Sequence, residues 1–207
     1  MNKGRLYILS APSGCGKDTV LKLLLKEHED IKLSVSSITR EPREGEVEGE
    51  KYNFVSREEF ERMIENDELL EYNEYVGNYY GTPKKPVLDM MNDGYNVILE
   101  IDVNGAMKVK EKFKDATLIF MLPESIEVLH SRLKRRGTET PETIRKRIEQ
   151  AKVEMTFADK YEYVFINDAL DEAADDLYAI IRSHALLKNN MIDFVNEVNE
   201  NAKSFNC

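Results

Sequence analysis

A lysine stands inside a glycine-rich segment whose spacing suits the binding of a phosphate group. Residues 11–19 read Ala-Pro-Ser-Gly-Cys-Gly-Lys-Asp-Thr and follow an apolar run. The order largely follows the phosphate-loop pattern, in which glycines and a lysine precede a serine or threonine. Glycines let backbone N–H groups converge on phosphate oxygens, and the lysine reaches the transferred phosphate. The segment predicts an ATP site formed by Ala11, Pro12, Ser13, Gly14, Cys15, Gly16, Lys17, Asp18 and Thr19.

The segment departs from the pattern at two positions. Ala11 replaces the first glycine, and Asp18 takes the place of the hydroxyl residue that binds magnesium, which leaves Thr19 one position later. A carboxylate at Asp18 repels a triphosphate unless it turns toward magnesium or its water shell, so its role stays open. Cys15 is either a passive spacer or a thiol made reactive by a helix N-terminus. The structural alternative for the whole segment is a strand-to-helix turn with a surface lysine.

Arginines cluster in two other parts of the chain. Arg40 and Arg43 are three residues apart, and their forked guanidinium groups suit a dianionic phosphate. The alternative for this pair is surface ion pairing with neighbouring glutamates. Arg132 and Arg136 are four residues apart, which places both on one face of a helix, and Arg147 follows in the same basic segment.

Composition limits the classes of protein to consider. The chain has 207 residues, 42% of them hydrophobic, which allows one core with small inserted lobes. Its apolar runs are far shorter than the roughly 20 residues of a membrane helix, and the first residues lack a secretory pattern. Two cysteines provide neither a disulfide framework nor a zinc cluster. A net charge of −10 disfavours nucleic-acid binding. We expect a cytoplasmic protein with small phosphorylated ligands.

Short apolar runs alternate with helical patterns along the chain. Leu6 to Ser10 reads as a strand and Thr19 to Lys26 as a helix, with the glycine-rich turn between them. Further strand-like runs occur at Val97 to Ile101, Thr117 to Leu122 and Tyr163 to Ile166. Short apolar strands separated by helices indicate an α/β fold with a parallel core sheet.

Two segments differ from this alternation. Turn residues and tyrosines between about 36 and 88 predict an inserted lobe, with one helix after the capping-box spacing at Ser56. Thr140 and Pro141 resemble an N-cap followed by proline, which predicts the start of a charged lid helix. We predict a single domain whose parts are a core of about 1–35, 89–125 and 151–190, a lobe of about 36–88, a lid of about 126–150 and a helical C-terminal extension of about 188–207.

Several longer motifs occur in a fixed order. They comprise Ser34–Arg43, Gly45-Glu46-Val47, Tyr52-Asn53-Phe54-Val55, Gly77–Thr82, Ile101–Gly105, Arg136–Thr140 and Asn167-Asp168. Together they resemble the guanylate kinases, over roughly residues 5–182. The resemblance implies a three-layer P-loop kinase fold with a mixed α/β GMP-binding lobe and a small helical lid. It also implies transfer of the γ-phosphoryl group of ATP to GMP or dGMP with magnesium, within purine nucleotide metabolism.

The resemblance assigns a role to individual residues. The GMP site would comprise Ser36, Arg40, Arg43, Tyr52, Glu71, Tyr80, Thr82, Glu100 and Asp102. A carboxylate at Glu71 would accept hydrogen bonds from guanine N1–H and the 2-amino group. Adenine offers neither donor, and such a mismatch can reject an analogue by about 10⁴. The Ser36 and Thr82 hydroxyls would contact O6, and Asp102 would assist at the amino group. The structural alternative for Glu71 is a solvated residue at a helix end. For Asp102 it is a cap on the Gly105 turn.

The resemblance also implies how the phosphoryl group is transferred. The catalytic residues would be Lys17, Arg132, Arg136 and Arg147, and Asn167 would join the ATP site. These cations would neutralise charge that spreads over the transferred oxygens. No direct protein ligand is assigned to Mg²⁺, which would be held by water and nucleotide phosphates near Asp18, Thr19 and Glu100.

Two other functions fit parts of the sequence. A non-catalytic guanylate-kinase-like module that binds partner peptides has no need for Lys17 or the lid arginines, although Asp18 favours it. A kinase for a sugar phosphate would leave Glu71 and the Ser36 and Thr82 hydroxyls without a base to contact. The sequence leaves open the oligomeric state, the preference between GMP and dGMP, the turnover rate and the role of the C-terminal extension.

Overall fold

The computed structural model describes residues 3–135, 140–187 and 190–205. The strands are β1 (Leu6–Ser10), β2 (Ile31–Leu33), β3 (Ser36–Ile38), β4 (Tyr52–Phe54), β5 (Leu69–Tyr75), β6 (Asn78–Pro83), β7 (Asn96–Glu100), β8 (Thr117–Pro123) and β9 (Tyr163–Asn167). The helices are α1 (Lys17–Glu27), α2 (Arg57–Glu65), α3 (Lys84–Asn92), α4 (Val103–Lys112), α5 (Ile126–Arg135), α6 (Pro141–Met155), α7 (Leu170–Ala185) and α8 (Ile192–Ser204), with a 3₁₀ turn at Ala158–Lys160.

Five strands form a parallel core sheet in the order β2-β7-β1-β8-β9. The central strand β1 is buried along its whole length, as expected for a strand covered on both faces. Its alternate side chains join different clusters: Tyr7 and Leu9 pack toward α1 and α7, whereas Leu6 and Ile8 pack toward α3 and α4. The molecule therefore has three layers, and the predicted α/β fold with a parallel core sheet is confirmed.

A second sheet of four strands lies between residues 36 and 83, in the order β4-β3-β6-β5. Its pairings are mixed, since β3 runs parallel to β4 while β6 runs antiparallel to both β3 and β5. The Ser56 side chain caps α2 by accepting from Glu59 N–H, and Phe60 and Met63 bury their side chains beneath the sheet. This sheet and α2, called the lobe, share an apolar cluster formed by Phe60, Met63 and Leu69.

Helices α5 and α6 pack against each other next to the core. Their contact is apolar and uses Leu129 and Leu133 from α5 with Ile144 and Ile148 from α6. The Thr140 side chain caps α6, with Pro141 as the first helical residue. The division into core, lobe, lid and extension stays a prediction. Within the described part of the chain, no helix combines the length and apolar character needed to cross a membrane.

Candidate active site

The glycine-rich segment forms the turn between β1 and α1, at the carboxyl edge of the core sheet. Gly14 and Gly16 have φ angles of +91° and +97°, a region that side chains with a Cβ rarely adopt. A Cβ on Gly16 would also lie 2.6 Å from Asn167 Nδ2. The chain enters α1 directly from Gly16, so the positive end of the helix faces the turn. This geometry is the one expected of an anion-binding turn.

Two side chains from distant elements hold the turn through one carbonyl oxygen. Arg132 Nη1 and Asn167 Nδ2 donate to Cys15 O over 2.9 and 2.6 Å. Arg132 Nη2 also donates to Asn167 O over 2.9 Å. The turn is therefore braced by α5 and by the end of β9, and Arg132 fixes its shape in addition to its predicted contact with phosphate.

The Cys15 thiol is buried beneath the turn. Its side chain is 0% exposed, and burial raises the pKa of the thiol to about 12. Reactive thiols need the opposite shift. Cys15 therefore fits the passive spacer interpretation, and the reactive interpretation is not supported.

Four charged side chains alternate in sign beside the turn. Lys17 Nζ lies 3.4 Å from Glu100 Oε1, and Glu100 Oε2 lies 3.0 Å from Lys51 Nζ. Lys51 Nζ also lies 2.5 Å from Asp18 Oδ1. Lys51 precedes β4, so this ammonium reaches the core from the lobe. The four residues form a continuous ion-pair chain across the two parts of the molecule.

The ion pairs determine the charge states of Asp18 and Lys51. Burial alone would raise the pKa of Asp18, but hydrogen bonding to Lys51 and the nearby lysine charges lower it. Burial alone would lower the pKa of Lys51, but the carboxylates of Glu100 and Asp18 outweigh burial and raise it. Asp18 and Lys51 are therefore paired in their charged forms.

A second cleft contains a buried carboxylate. Glu71, on β5, is only 7% exposed, and Thr82 Oγ1 donates to its Oε1 over 2.9 Å. Burial raises the pKa of Glu71 to about 7, against the lowering effect of the Thr82 hydrogen bond. A Cβ on Gly105 would lie 2.9 Å from Glu71 Oε2, so only glycine leaves this carboxylate in place. Glu71 is therefore a strand residue in a cleft, and the helix-end alternative is wrong.

Asp102 lies at the junction of this cleft with the glycine-rich turn. Its Oδ1 accepts from Gly105 N–H over 2.8 Å and caps α4, while Oδ2 accepts from Asn73 Nδ2 over 3.4 Å. The capping role considered for Asp102 is therefore present, and the side chain lines both clefts as well. The residues shared by the two clefts are Ser36, Tyr52, Glu100, Ile101 and Asp102.

The two arginines at the start of the lobe are placed differently. Arg40 forms a bidentate pair with Glu46, with both N–O distances at 2.7 Å, and its guanidinium lies 5.4 Å from the centre of the Tyr52 ring. Hydrogen bonding from Arg40 lowers the pKa of Glu46 to about 2. Arg43 is exposed and contributes its backbone N–H to Glu46 over 2.8 Å. The alternative considered for these arginines, pairing with a neighbouring glutamate, is thus observed for Arg40, in a geometry that also suits a phosphate.

The chain is similar to known proteins over most of its length. A family model described as guanylate kinase matches residues 3–184. The chain belongs to the guanylate kinase family. It is 50% identical over 179 residues to a guanylate kinase of Caldanaerobacter subterraneus subsp. tengcongensis, which covers 86% of this chain and 87% of the relative. It is 46% identical over 196 residues to one from Clostridium perfringens, covering 93% and 91%.

A solved structure supports the same assignment. The crystal structure of guanylate kinase from Anaplasma phagocytophilum matches with a TM-score of 0.73 and 36% identity, covering 89% of this chain and 88% of that one. The resemblance to guanylate kinases predicted from the motifs is confirmed.

Other predicted site residues of this guanylate kinase family member are also located. Arg147 Nη1 lies 3.4 Å from Ser13 Oγ, which joins α6 to the turn. Tyr80 lines the Glu71 cleft, and Thr19 lines the cleft at the turn. Arg136 lies outside the described residues.

Sequence reasoning missed three acidic or basic residues near the clefts. Lys51 and Glu46 pair with predicted site residues, and Glu154 of α6 lines the cleft at the turn. The available signal was charge balance, because an acidic residue in a phosphate-binding turn requires a nearby cation. Nothing in the local spacing indicated which cation would supply it.

Proposed function

We propose that this protein transfers the γ-phosphoryl group of ATP to GMP, yielding ADP and GDP, and accepts dGMP as well. The observation that carries the proposal is the common wall of the two clefts. Glu100, Ile101 and Asp102 line both the anion-binding turn and the cleft that contains Glu71. A triphosphate in one cleft and a monophosphate in the other would bring donor and acceptor together at this wall.

Glu71 is proposed to recognise guanine. Its carboxylate would accept from N1–H and from the 2-amino group, and these donors would favour the ionised form of a group whose pKa is raised to about 7 in the empty cleft. Thr82 already donates to Glu71 and is fully buried. Its hydroxyl therefore supports the orientation of the carboxylate, while Ser36, on the shared wall, remains the proposed contact for O6.

The phosphate of GMP is proposed to replace a carboxylate already bound in the lobe. Glu46 occupies the fork of Arg40, and a dianionic phosphate would compete for the same two N–H donors. Tyr52 and Tyr80, with Arg43 nearby, would provide further donors. The acceptor site would then exchange one anion for another without leaving an arginine unpaired.

Positioning and charge neutralisation are proposed to accomplish the transfer. Lys17 is the first residue of α1, and Arg147 Nη1 lies 3.4 Å from Ser13 Oγ in the turn. Arg132 holds the turn through Cys15 O and would face the developing charge, and Arg136 is proposed to join it. Fixed donors around the transferred group stabilise its charge without reorganisation.

Mg²⁺ is the proposed cofactor, and the residues at the turn fit it. Asp18 and Glu100 present hard carboxylate oxygens to the same ammonium, and Thr19 adds a hydroxyl. Among residues 3–135, 140–187 and 190–205, no group of three or more His, Cys, Asp or Glu could hold a metal ion. The ion is proposed to be held chiefly by nucleotide phosphates and water. Bound Mg²⁺ neutralises phosphate charge during transfer. We further propose a cytoplasmic enzyme that uses ATP and GMP and binds neither nucleic acid nor membranes.

An ADP-release assay with ATP and Mg²⁺ tests the activity. GMP, dGMP, AMP, CMP and UMP are compared as acceptors for the wild type and for Lys17→Ala. Turnover confined to guanine nucleotides and lost in Lys17→Ala is the expected result. Binding of GMP without any turnover would instead support the peptide-binding module.

A further inference from the structure

Lys51 links the lobe to the anion-binding turn of the core. We propose that Lys51 is a positioning residue for ATP. Its side chain brings a positive charge from the acceptor lobe to the turn and neutralises Asp18 there. This inference rests on the proposed function, because it assigns ATP to the turn. It explains how a phosphate site tolerates an acidic residue at Asp18.

The position of Lys51 is fixed by its backbone and its neighbours. Its carbonyl oxygen accepts from Ser36 N–H over 3.2 Å, where β3 and β4 begin to pair. Its ammonium lies 5.8 Å from the centre of the Tyr52 ring and contacts carboxylates of Asp18 and Glu100. The Lys51 side chain is 38% exposed and that of Asp18 71%, so this pair opens into the cleft at the turn.

The charge balance shows what Lys51 contributes. Lys17 and Lys51 together offset Asp18 and Glu100, so the group is neutral as a whole. Without Lys51 the same group carries one net negative charge beside the place where ATP phosphates would bind. Asp18 also lies in the first turn of α1, where a carboxylate competes with phosphate for the positive end of the helix. An unpaired Asp18 would therefore weaken ATP binding.

The location of Lys51 in the lobe should couple the binding of ATP to the binding of the acceptor. The neutralising cation belongs to the lobe and not to the turn, so the ATP site is complete only when the lobe lies against the core. Binding of the acceptor in the lobe and binding of ATP at the turn should therefore favour each other. Loss of Lys51 should reduce this mutual effect together with the affinity for ATP.

A double-mutant cycle on the full-length protein tests the proposal, with charge-removing variants Lys51→Gln, Asp18→Asn and their combination. Calorimetry measures the Kd for ATP with and without Mg²⁺ in the absence of GMP, and the Kd for a non-hydrolysable ATP analogue with GMP present. Steady-state assays separate KM from kcat. Lys51→Gln should raise the Kd and KM for ATP about tenfold, whereas kcat should fall less than about threefold. Adding Asp18→Asn should return the Kd for ATP to within about threefold of wild type.

The lobe contains a matched control. Lys84 forms a similar pair with Asp67, with an N–O distance of 2.6 Å, and neither residue lines the two clefts. Lys84→Gln should leave the Kd for ATP unchanged. This variant separates a specific effect at the turn from a general loss of lobe charge.

Three results would overturn the proposal. The first is an unchanged Kd for ATP in Lys51→Gln, and the second is simple additivity of the two substitutions. The third is a loss in Asp18→Asn as large as that in Lys51→Gln and confined to measurements with Mg²⁺, which would make Asp18 a metal ligand. Because calorimetry reports ATP binding without turnover, recovery of affinity in the double variant would support Lys51 even if GMP were not phosphorylated.

Discussion

Replacing Glu71 with glutamine removes one acceptor and one negative charge from the base of the acceptor cleft. The carboxylate is 7% exposed, and its Oε1 is already held by Thr82. Glutamine would keep one acceptor but turn an NH₂ group toward a guanine N–H donor. Each charge-assisted hydrogen bond contributes about 1.5–3 kcal/mol, so losing one and creating a mismatch should lower kcat/KM for GMP by about 10²–10⁴.

The assay for Glu71→Gln measures both substrates separately. We expect the kcat/KM for GMP and dGMP to fall together, while the KM for ATP changes by less than about threefold. Glu74→Gln provides a matched control on the same strand, since the Glu74 side chain is 50% exposed and does not line the cleft. An equal loss for ATP and GMP, or a loss below about threefold for GMP, would refute recognition of guanine by Glu71.

Three further predictions follow from the site. Burial raises the pKa of Glu71 from 4.5 to about 7, so the folded protein keeps a proton that the unfolded chain releases. The stability linked to this proton is complete below pH 4.5 and is lost as pH rises through 7, by roughly 3 kcal/mol. Chemical denaturation at several pH values should show this fall in the free energy of unfolding for the wild type and not for Glu71→Gln. Gly105→Ala places a Cβ 2.9 Å from Glu71 Oε2 and should raise the KM for GMP more than the KM for ATP, whereas equal effects in kinetic assays would contradict the contact. In a Cys207→Ser variant, Cys15 should resist alkylation until the protein unfolds, and mass spectrometry that finds rapid labelling of native protein would contradict its burial.

Local patterns account for the parts of the molecule that the sequence predicted well. The turn between β1 and α1 and the cap of α6 at Thr140 depend on residues close in sequence. The core strands are short apolar runs whose burial follows from their composition. The family resemblance supplied Glu71, because nothing in its immediate neighbours marks it as buried.

Contacts between distant residues could not be predicted in the same way. Lys51 and Asp18 are 33 residues apart, and Arg132 and the Cys15 carbonyl are 117 apart. The hydrogen bond from Thr82 depends on a strand register that shifts next to Glu71. Such pairings depend on how the lobe and the core lie relative to each other, which the spacing of residues in the sequence does not reveal.

The wall shared by the two clefts has a consequence for how the site can vary. Residues 100–102 begin at the last residue of β7, a largely buried strand paired on both sides, so their backbone has little freedom to move. Both substrates would bind against this one strand end, so it would set the distance between donor and acceptor. Loops and lobe could change in length or charge while the spacing between donor and acceptor stayed constant. An insertion within 100–102 would alter the register of both substrates at once, and no change elsewhere could correct one without disturbing the other.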